Sequence, residues 1–140
     1  MKKSLFVLLT MSLVLLFATS LSAGTLNGRG KAWLDAQTDA PAMSVDGTWN
    51  SDVFNDIHLV QAVGSRDVIG VGYGYSLTGV VSGKRLYLLF TSGNTVEFCA
   101  VLNSGSDGSL MGSYSSKVTR LRFGAGLCQG YSRPMFMTKK

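Results

Sequence analysis

The stretch RLYLLFTSGNTVEFCAVL, residues 85–102, decides the fold class, because it holds two strand-length runs on either side of a short turn. The runs RLYLLFT and TVEFCAVL are rich in aliphatic, aromatic and β-branched residues, which favour β-strands. Between them, Ser-Gly-Asn supplies residues that hairpin turns prefer. The stretch therefore predicts an antiparallel hairpin.

Short strands and tight turns continue on both sides of this hairpin. Upstream, VDGTWNS at 45–51 opens the series, IHLVQAV at 57–63 alternates between two faces, and residues 67–81 form two strands with a break near Gly74. Downstream, further strands are predicted at 109–116, at 117–123 and around 135–138. No helical period is visible anywhere after the predicted signal helix.

This pattern predicts an all-β fold, a small antiparallel meander that closes into a barrel of about eight strands. Closure is favoured because a closed barrel has no free sheet edge. A barrel of this size has an interior that side chains fill, or that holds one small ligand. We expect residues 45–140 to form this single β-barrel domain.

The N-terminus predicts export. Lys2 and Lys3 precede an apolar run at 5–17, and small polar residues follow it. This order is typical of a cleaved signal peptide, and the run is shorter than the about 20 residues of a membrane span. We predict a signal helix at 1–23 and a soluble periplasmic or extracellular product. Gly24 stands where a lipoprotein would carry its lipidated Cys, so no stable membrane anchor is expected after cleavage.

Residues 24–44 lack a clear period and are interpreted as a leader or linker. Trp33 is the only large side chain that could anchor this segment. It either covers one end of the domain or lies on a short edge strand, AWLDA.

The charge is unevenly distributed along the chain. Loss of Lys2 and Lys3 with the signal lowers the formal net charge from +5 to +3. Six of the eight acidic residues fall in the first half, whereas basic residues dominate the second half. A basic patch for an anionic surface is one interpretation, but we favour ordinary solubility on outward strand faces and expect no nucleic-acid partner.

Cys99 and Cys128 are the only cysteines, and in an exported chain they predict one disulfide. Closing a loop of roughly 30 residues stabilises a fold by about 3–4 kcal/mol in the chain-entropy model. The chain has no Cys-x-x-Cys spacing and its single histidine is His58, so we predict neither a metal site nor a cofactor. A Gly-x-Ser-x-Gly motif is absent and Glu97 is the only glutamate, so no catalytic residues are predicted.

Tyr73 and Tyr75 are the candidate ligand wall. Because they alternate with glycines, both rings are predicted to lie on one face, where they either contact a ligand or pack across a neighbouring strand. Gly70, Gly72 and Gly74 are expected to leave room inside the barrel.

The segment GTWNSDVFNDIHLVQAVGSRDVIGVGY, residues 47–73, resembles the first strands of avidin- and lipocalin-type barrels, which are small secreted calycin-like proteins. Gly47 and Trp49 match the Gly-x-Trp of these families, whose indole lies across one barrel end. The resemblance implies a closed barrel with Trp49 as the end plug. Gly72 replaces a family tyrosine, and the later tryptophans that line biotin have no counterpart, so biotin binding is not implied.

These observations predict an exported binding protein that is not an enzyme. The first hypothesis is a small barrel that holds a small ligand. The alternative is a protein-interaction module, such as an inhibitor of a secreted or periplasmic hydrolase, with contacts on the loops NSGSDG (103–108) or GAGLCQGYSRP (124–134). The third hypothesis is a purely structural protein of the cell envelope. A filled interior with an exposed aromatic patch would favour the alternative.

Overall fold

The computed structural model of the chain describes residues 28–116, 128 and 132–140. One helix precedes eight strands, in the order α1 (Gly28–Asp35), β1 (Gly47–Ser51), β2 (Asn55–Val60), β3 (Asp67–Gly72), β4 (Tyr75–Ser82), β5 (Arg85–Ser92), β6 (Thr95–Ser104), β7 (Leu110–Ser115) and β8 (Arg133–Lys139). The predicted signal peptide at 1–23 and the predicted strand at 117–123 lie outside the described residues. The all-β prediction is confirmed.

The eight strands form a closed barrel in which each strand pairs with the next in antiparallel orientation. The seam joins β1 to β8, with Trp49 opposite Lys139 and Ser51 opposite Met137. Closure provides backbone partners on both sides of every strand, so the barrel exposes no free edge. The predicted meander is therefore the observed topology.

Side chains from all eight strands pack together inside the barrel. Aromatic and aliphatic residues dominate this cluster, and Phe90, Leu88 and Ile57 are fully buried in it. The strand residues of the cluster are Trp49, Ile57, Leu59, Val68, Leu77, Val81, Leu86, Leu88, Phe90, Ala100, Leu102, Leu110, Met135 and Met137. This is the packed form of an eight-stranded barrel.

The glycines of β3 do not leave the expected room in this interior. A Cβ on Gly70 would meet the backbone carbonyl of His58 and would lie 2.9 Å from Leu59 Cδ2. A Cβ on Gly72 would lie 2.9 Å from Ile57 Cγ1. The aliphatic side chains of β2 thus occupy the space, and the glycines allow their close approach.

Helix α1 packs on the outer face of β4, β5 and β6. Leu34 is buried there, and the Trp33 ring meets Tyr87 edge-on with a centroid distance of 5.5 Å. The guanidinium of Arg66 donates to the Leu34 carbonyl oxygen at 3.0 Å, and the same oxygen at the helix end accepts the backbone amide of Gln37 at 3.1 Å. The suggested edge strand at AWLDA is wrong, and so is the expectation that no helix follows the signal helix, because residues 28–35 are helical.

The sequence of α1 explains why a helix forms once this face is available. Lys31 and Asp35 are four residues apart and pair at 2.6 Å, and the segment contains no β-branched residue. In the described part of the chain, no helix is long and apolar enough to cross a membrane.

Candidate functional site

The outer face of β2 and β3 exposes three aliphatic side chains that lie next to one another. Val60 is 56 %, Ile69 60 % and Val71 56 % exposed. Val60 lies directly opposite Ile69, and Val71 follows two residues later on the same face. We call these three residues the apolar strip. Outward positions of a sheet open to solvent are normally polar, so the strip marks this face as unusual.

An open groove of about 450 Å³ continues from one end of the strip. Val71 belongs to both features. The groove is lined by Asp56, His58, Val71, Gly72, Tyr73, Gly74, Tyr75 and Ser76. We call it the Tyr73 groove, because Tyr73, a residue that is 63 % exposed, forms part of its wall.

Tyr73 is held there by a strained turn. Tyr73 and Gly74 are the two residues between β3 and β4, and both have positive φ, 52° and 80°. Two-residue hairpin turns with positive φ at both positions strongly prefer Asn-Gly. A tyrosine in the left-handed region costs about 1–2 kcal/mol, so its ring is placed here against a local conformational preference.

The barrel end beside the groove is closed by aromatic rings. Phe54 follows β1, and the Ser51 hydroxyl oxygen accepts hydrogen bonds from the backbone amides of Val53 (3.2 Å) and Phe54 (3.1 Å). This turn directs the Phe54 ring onto Phe90, with centroids 4.4 Å apart and planes 25° apart. The rings of Tyr73, Tyr75, Phe98 and Tyr114 surround Phe54 at 5.3–6.5 Å.

Tyr73 and Tyr75 therefore both contact the ring of Phe54, although they do not alternate along one strand. Tyr73 lies in the turn, and Tyr75 is the first residue of β4. The Tyr75 ring packs edge-on against Phe98 at 5.5 Å and is half-buried, whereas Tyr73 remains open to solvent. Both candidate residues line the groove. Their role as a ligand wall remains a prediction.

Carboxylates surround the strip and the groove. Asp56 lines the groove, and its carboxylate accepts a hydrogen bond from the Lys140 ammonium at 2.8 Å. Asp46 accepts a hydrogen bond from the backbone amide of Gln61, next to Val60, at 2.9 Å. Asp67 begins β3, two residues before Ile69, and is exposed.

His58 occupies the middle of the β2 outer face. Its Nδ1 lies 3.0 Å from Thr48 Oγ1 on β1, within hydrogen-bond distance. Val71 on β3 lies opposite His58. The site thus combines an aliphatic strip with rings, one imidazole and a carboxylate.

Trp49, the predicted end plug, is buried in the barrel. Its indole Nε1 donates to the Val45 carbonyl at 2.8 Å, at the barrel end away from Phe54. The Val45 amide in turn donates to Gln61 Oε1 at 2.7 Å. The Lys139 ammonium lies 5.9 Å from the centre of the indole. These contacts are compatible with a plug, and that role stays a prediction.

The two cysteines meet on the outer face of β6. The sulfur atoms of Cys99 and Cys128 are at bonding distance, with Cα atoms 5.8 Å apart. Most of the candidate contact loop GAGLCQGYSRP lies outside the described residues. The other candidate loop, NSGSDG, is held by hydrogen bonds to Ser109, the residue that follows it. The backbone amide and hydroxyl of Ser109 donate to the Asp107 carboxylate, and these bonds lower the pKa of Asp107.

No protein-family model, no curated protein and no solved structure matches this chain.

Proposed function

We propose that this is an exported, non-enzymatic binding protein that engages a partner protein through the apolar strip and the Tyr73 groove. The observation that carries the proposal is the strip itself, three adjacent aliphatic side chains that are each more than half exposed. Contiguous exposed apolar patches rimmed by polar residues mark interaction sites. The packed interior supports a ligand bound on the outside of the barrel.

A small ligand in the Tyr73 groove is the second candidate. The groove volume of about 450 Å³ lies in the range of ligand sites, roughly 300–1,000 Å³, and two tyrosines line it. Ligand sites usually enclose most of the ligand, however, whereas this groove is open along the surface. A protein segment that covers both strip and groove fits the shape better.

Three further features support the wider proposal. The paired cysteines favour an oxidising compartment, which agrees with the predicted signal peptide. The eight-stranded antiparallel barrel supports a calycin-like architecture. A non-enzymatic role is supported by the sequence, which has one histidine and no nucleophile motif.

The test uses site-specific cross-linking on two exposed positions. A photo-reactive residue replaces Val71 in one variant and Met111 in the other, both 56 % exposed but Met111 on β7, away from the strip. We expect irradiation of producing cells to yield one discrete protein adduct from position 71 and none from position 111. Adding Ile69→Asp should abolish that adduct. Equal adducts from both positions, or none from position 71, would contradict a protein partner.

Native mass spectrometry of the gently purified protein separates the two candidates. A bound protein mass supports the first candidate. A bound small mass that is lost on denaturation, and that Tyr73→Ala removes, supports the second.

A further inference from the structure

We propose that the Tyr73 groove receives a basic side chain, an arginine or a lysine, from the partner protein. This inference rests on the proposed function and specifies the chemistry of the partner. The partner segment then presents aliphatic side chains to the apolar strip and a cation to the groove beside it.

A cation already binds the groove carboxylate from within the chain. The Lys140 ammonium lies 2.8 Å from Asp56 Oδ2, and both side chains are about half exposed. Exposed ion pairs of this kind contribute little to stability, because water and salt screen them. A partner cation in the groove can therefore replace Lys140 as the partner of the Asp56 carboxylate without opening the fold.

The rest of the groove suits an arginine in particular. A guanidinium forms hydrogen bonds to a carboxylate and stacks on an aromatic ring, and the groove offers both in Asp56 and the exposed ring of Tyr73. Nothing lies within 4 Å of the Cβ position of Gly74, so the approach beside the ring is open. The strained backbone of Tyr73 is explained if the ring is needed for this contact.

The charge of the whole face agrees with a cationic partner. Asp46, Asp56 and Asp67 surround the strip and the groove, whereas β1, β2 and β3 contain no lysine or arginine. Arg66 lies between β2 and β3, but its guanidinium binds the Leu34 carbonyl on helix α1. Lys140 pairs with Asp56 on this face, and the carboxylates of Asp46 and Asp67 leave the face acidic in a chain whose formal net charge is +5. Complementary charge of this kind selects partners and speeds their association.

The inference is tested by NMR titration of the disulfide-bonded protein with two small probes. N-acetyl-arginine methylamide carries the guanidinium, and N-acetyl-citrulline methylamide is its neutral isostere. We expect the arginine probe to shift the backbone amide signals of Tyr73, Gly74 and Ser76, with weak, saturable binding. The citrulline probe should leave them unchanged. Equal shifts from both probes, or no shifts from arginine, would overturn the inference.

Two variants are expected to change the affinity for the arginine probe in opposite directions. Asp56→Asn should weaken arginine binding about two- to fivefold, the size expected for an exposed ion pair, because the groove loses its carboxylate. Lys140→Gln should strengthen it about two- to threefold, the size expected when a surface ion pair no longer competes. A purely structural Asp56–Lys140 pair predicts no gain for Lys140→Gln, and that result would contradict competition for one site. The amide spectrum of each variant shows whether it is folded.

The two proposals can fail separately. If position 71 captures a protein but arginine does not bind, the basic side chain is wrong and the protein-binding function stands. If arginine binds while position 71 captures nothing, the protein-binding function is contradicted.

Discussion

Replacing Tyr73 with asparagine should leave the barrel as stable or make it more stable, while it removes binding at the groove. Asparagine tolerates positive φ and, followed by Gly74, forms the preferred pair for this hairpin turn. Removing a tyrosine from the left-handed backbone conformation should raise the unfolding free energy by about 1–2 kcal/mol. Loss of the edge contact with Phe54, centroids 6.2 Å apart, costs about 0.5–1.5 kcal/mol, toward the lower end because the ring is 63 % exposed.

The net change in unfolding free energy, the difference between these two terms, should therefore lie between about −0.5 and +1.5 kcal/mol, in the upper part of this range because the lost ring contact is weak. Urea unfolding followed by Trp fluorescence measures it, with the slope of the transition as a check on two-state behaviour. The same variant should lose the arginine-induced shifts. Tyr73→Phe is the matched control, since it keeps both the ring and the strained backbone and should behave as wild type in stability.

A loss of more than about 1 kcal/mol in Tyr73→Asn would refute this reasoning. It would mean that the Tyr73 ring belongs to the hydrophobic core with Phe54, and that the strained turn serves core packing and not binding at the groove. Greater stability together with unchanged arginine binding would contradict the role of the ring in the groove.

Three further predictions concern the barrel. Trp49→Ala should lower the unfolding free energy by about 3–5 kcal/mol in urea, because the indole is buried, and an unchanged melting temperature would remove Trp49 from the core. Replacing Cys99 and Cys128 together with alanine should lower it by about 3–4 kcal/mol for a sequence separation of 29 residues, and calorimetry that shows no difference from the oxidised protein would contradict a stabilising disulfide. Gly70→Ala should destabilise the fold by about 1–3 kcal/mol through overpacking, whereas Gly28→Ala, with open space at its Cβ, should not. Equal changes in melting temperature in the two variants would show that Gly70 is not tightly packed.

The strand pattern was predictable because turn residues divide the chain at regular intervals. The segments predicted at 85–91 and 95–102 correspond to β5 (Arg85–Ser92) and β6 (Thr95–Ser104). Barrel closure followed from the need to pair the sheet edges. Helix α1 was missed because it is short, contains two glycines and depends on an apolar surface supplied by distant strands.

The apolar strip was not predictable in the same way. In DVIGVG the two alternating sets are Val68 with two glycines, and Ile69 and Val71 with the first residue, Asp67. The second set holds two large aliphatic residues, so local hydrophobicity favours it as the buried one. The barrel buries the first set, because Leu59 and Ile57 from β2 already fill the space beside the glycines. Only this contact between strands decides which set faces outward.

The central place of Phe54 in the aromatic cluster was also not predictable from the sequence. This residue lies in a loop, and its burial depends on rings from four other parts of the chain, namely the β3–β4 turn with the start of β4, and the strands β5, β6 and β7. Tyr73 and Tyr75 were identified from sequence as a pair, but the turn between them was placed only approximately, so the exposure of one ring and the partial burial of the other were not foreseen.

The seam between β1 and β8 also sets the order in which this protein can mature. A chain synthesised from its N-terminus makes β1 first, yet the second neighbour of β1 exists only after β8 has been made. Until then the strands can form at most an open sheet, with the unpaired edges that invite association between chains. Non-local pairing of this kind is slow to form. The pairing of β1 with β8, the most distant strand contact of the barrel along the chain, is therefore expected to be the last one to form.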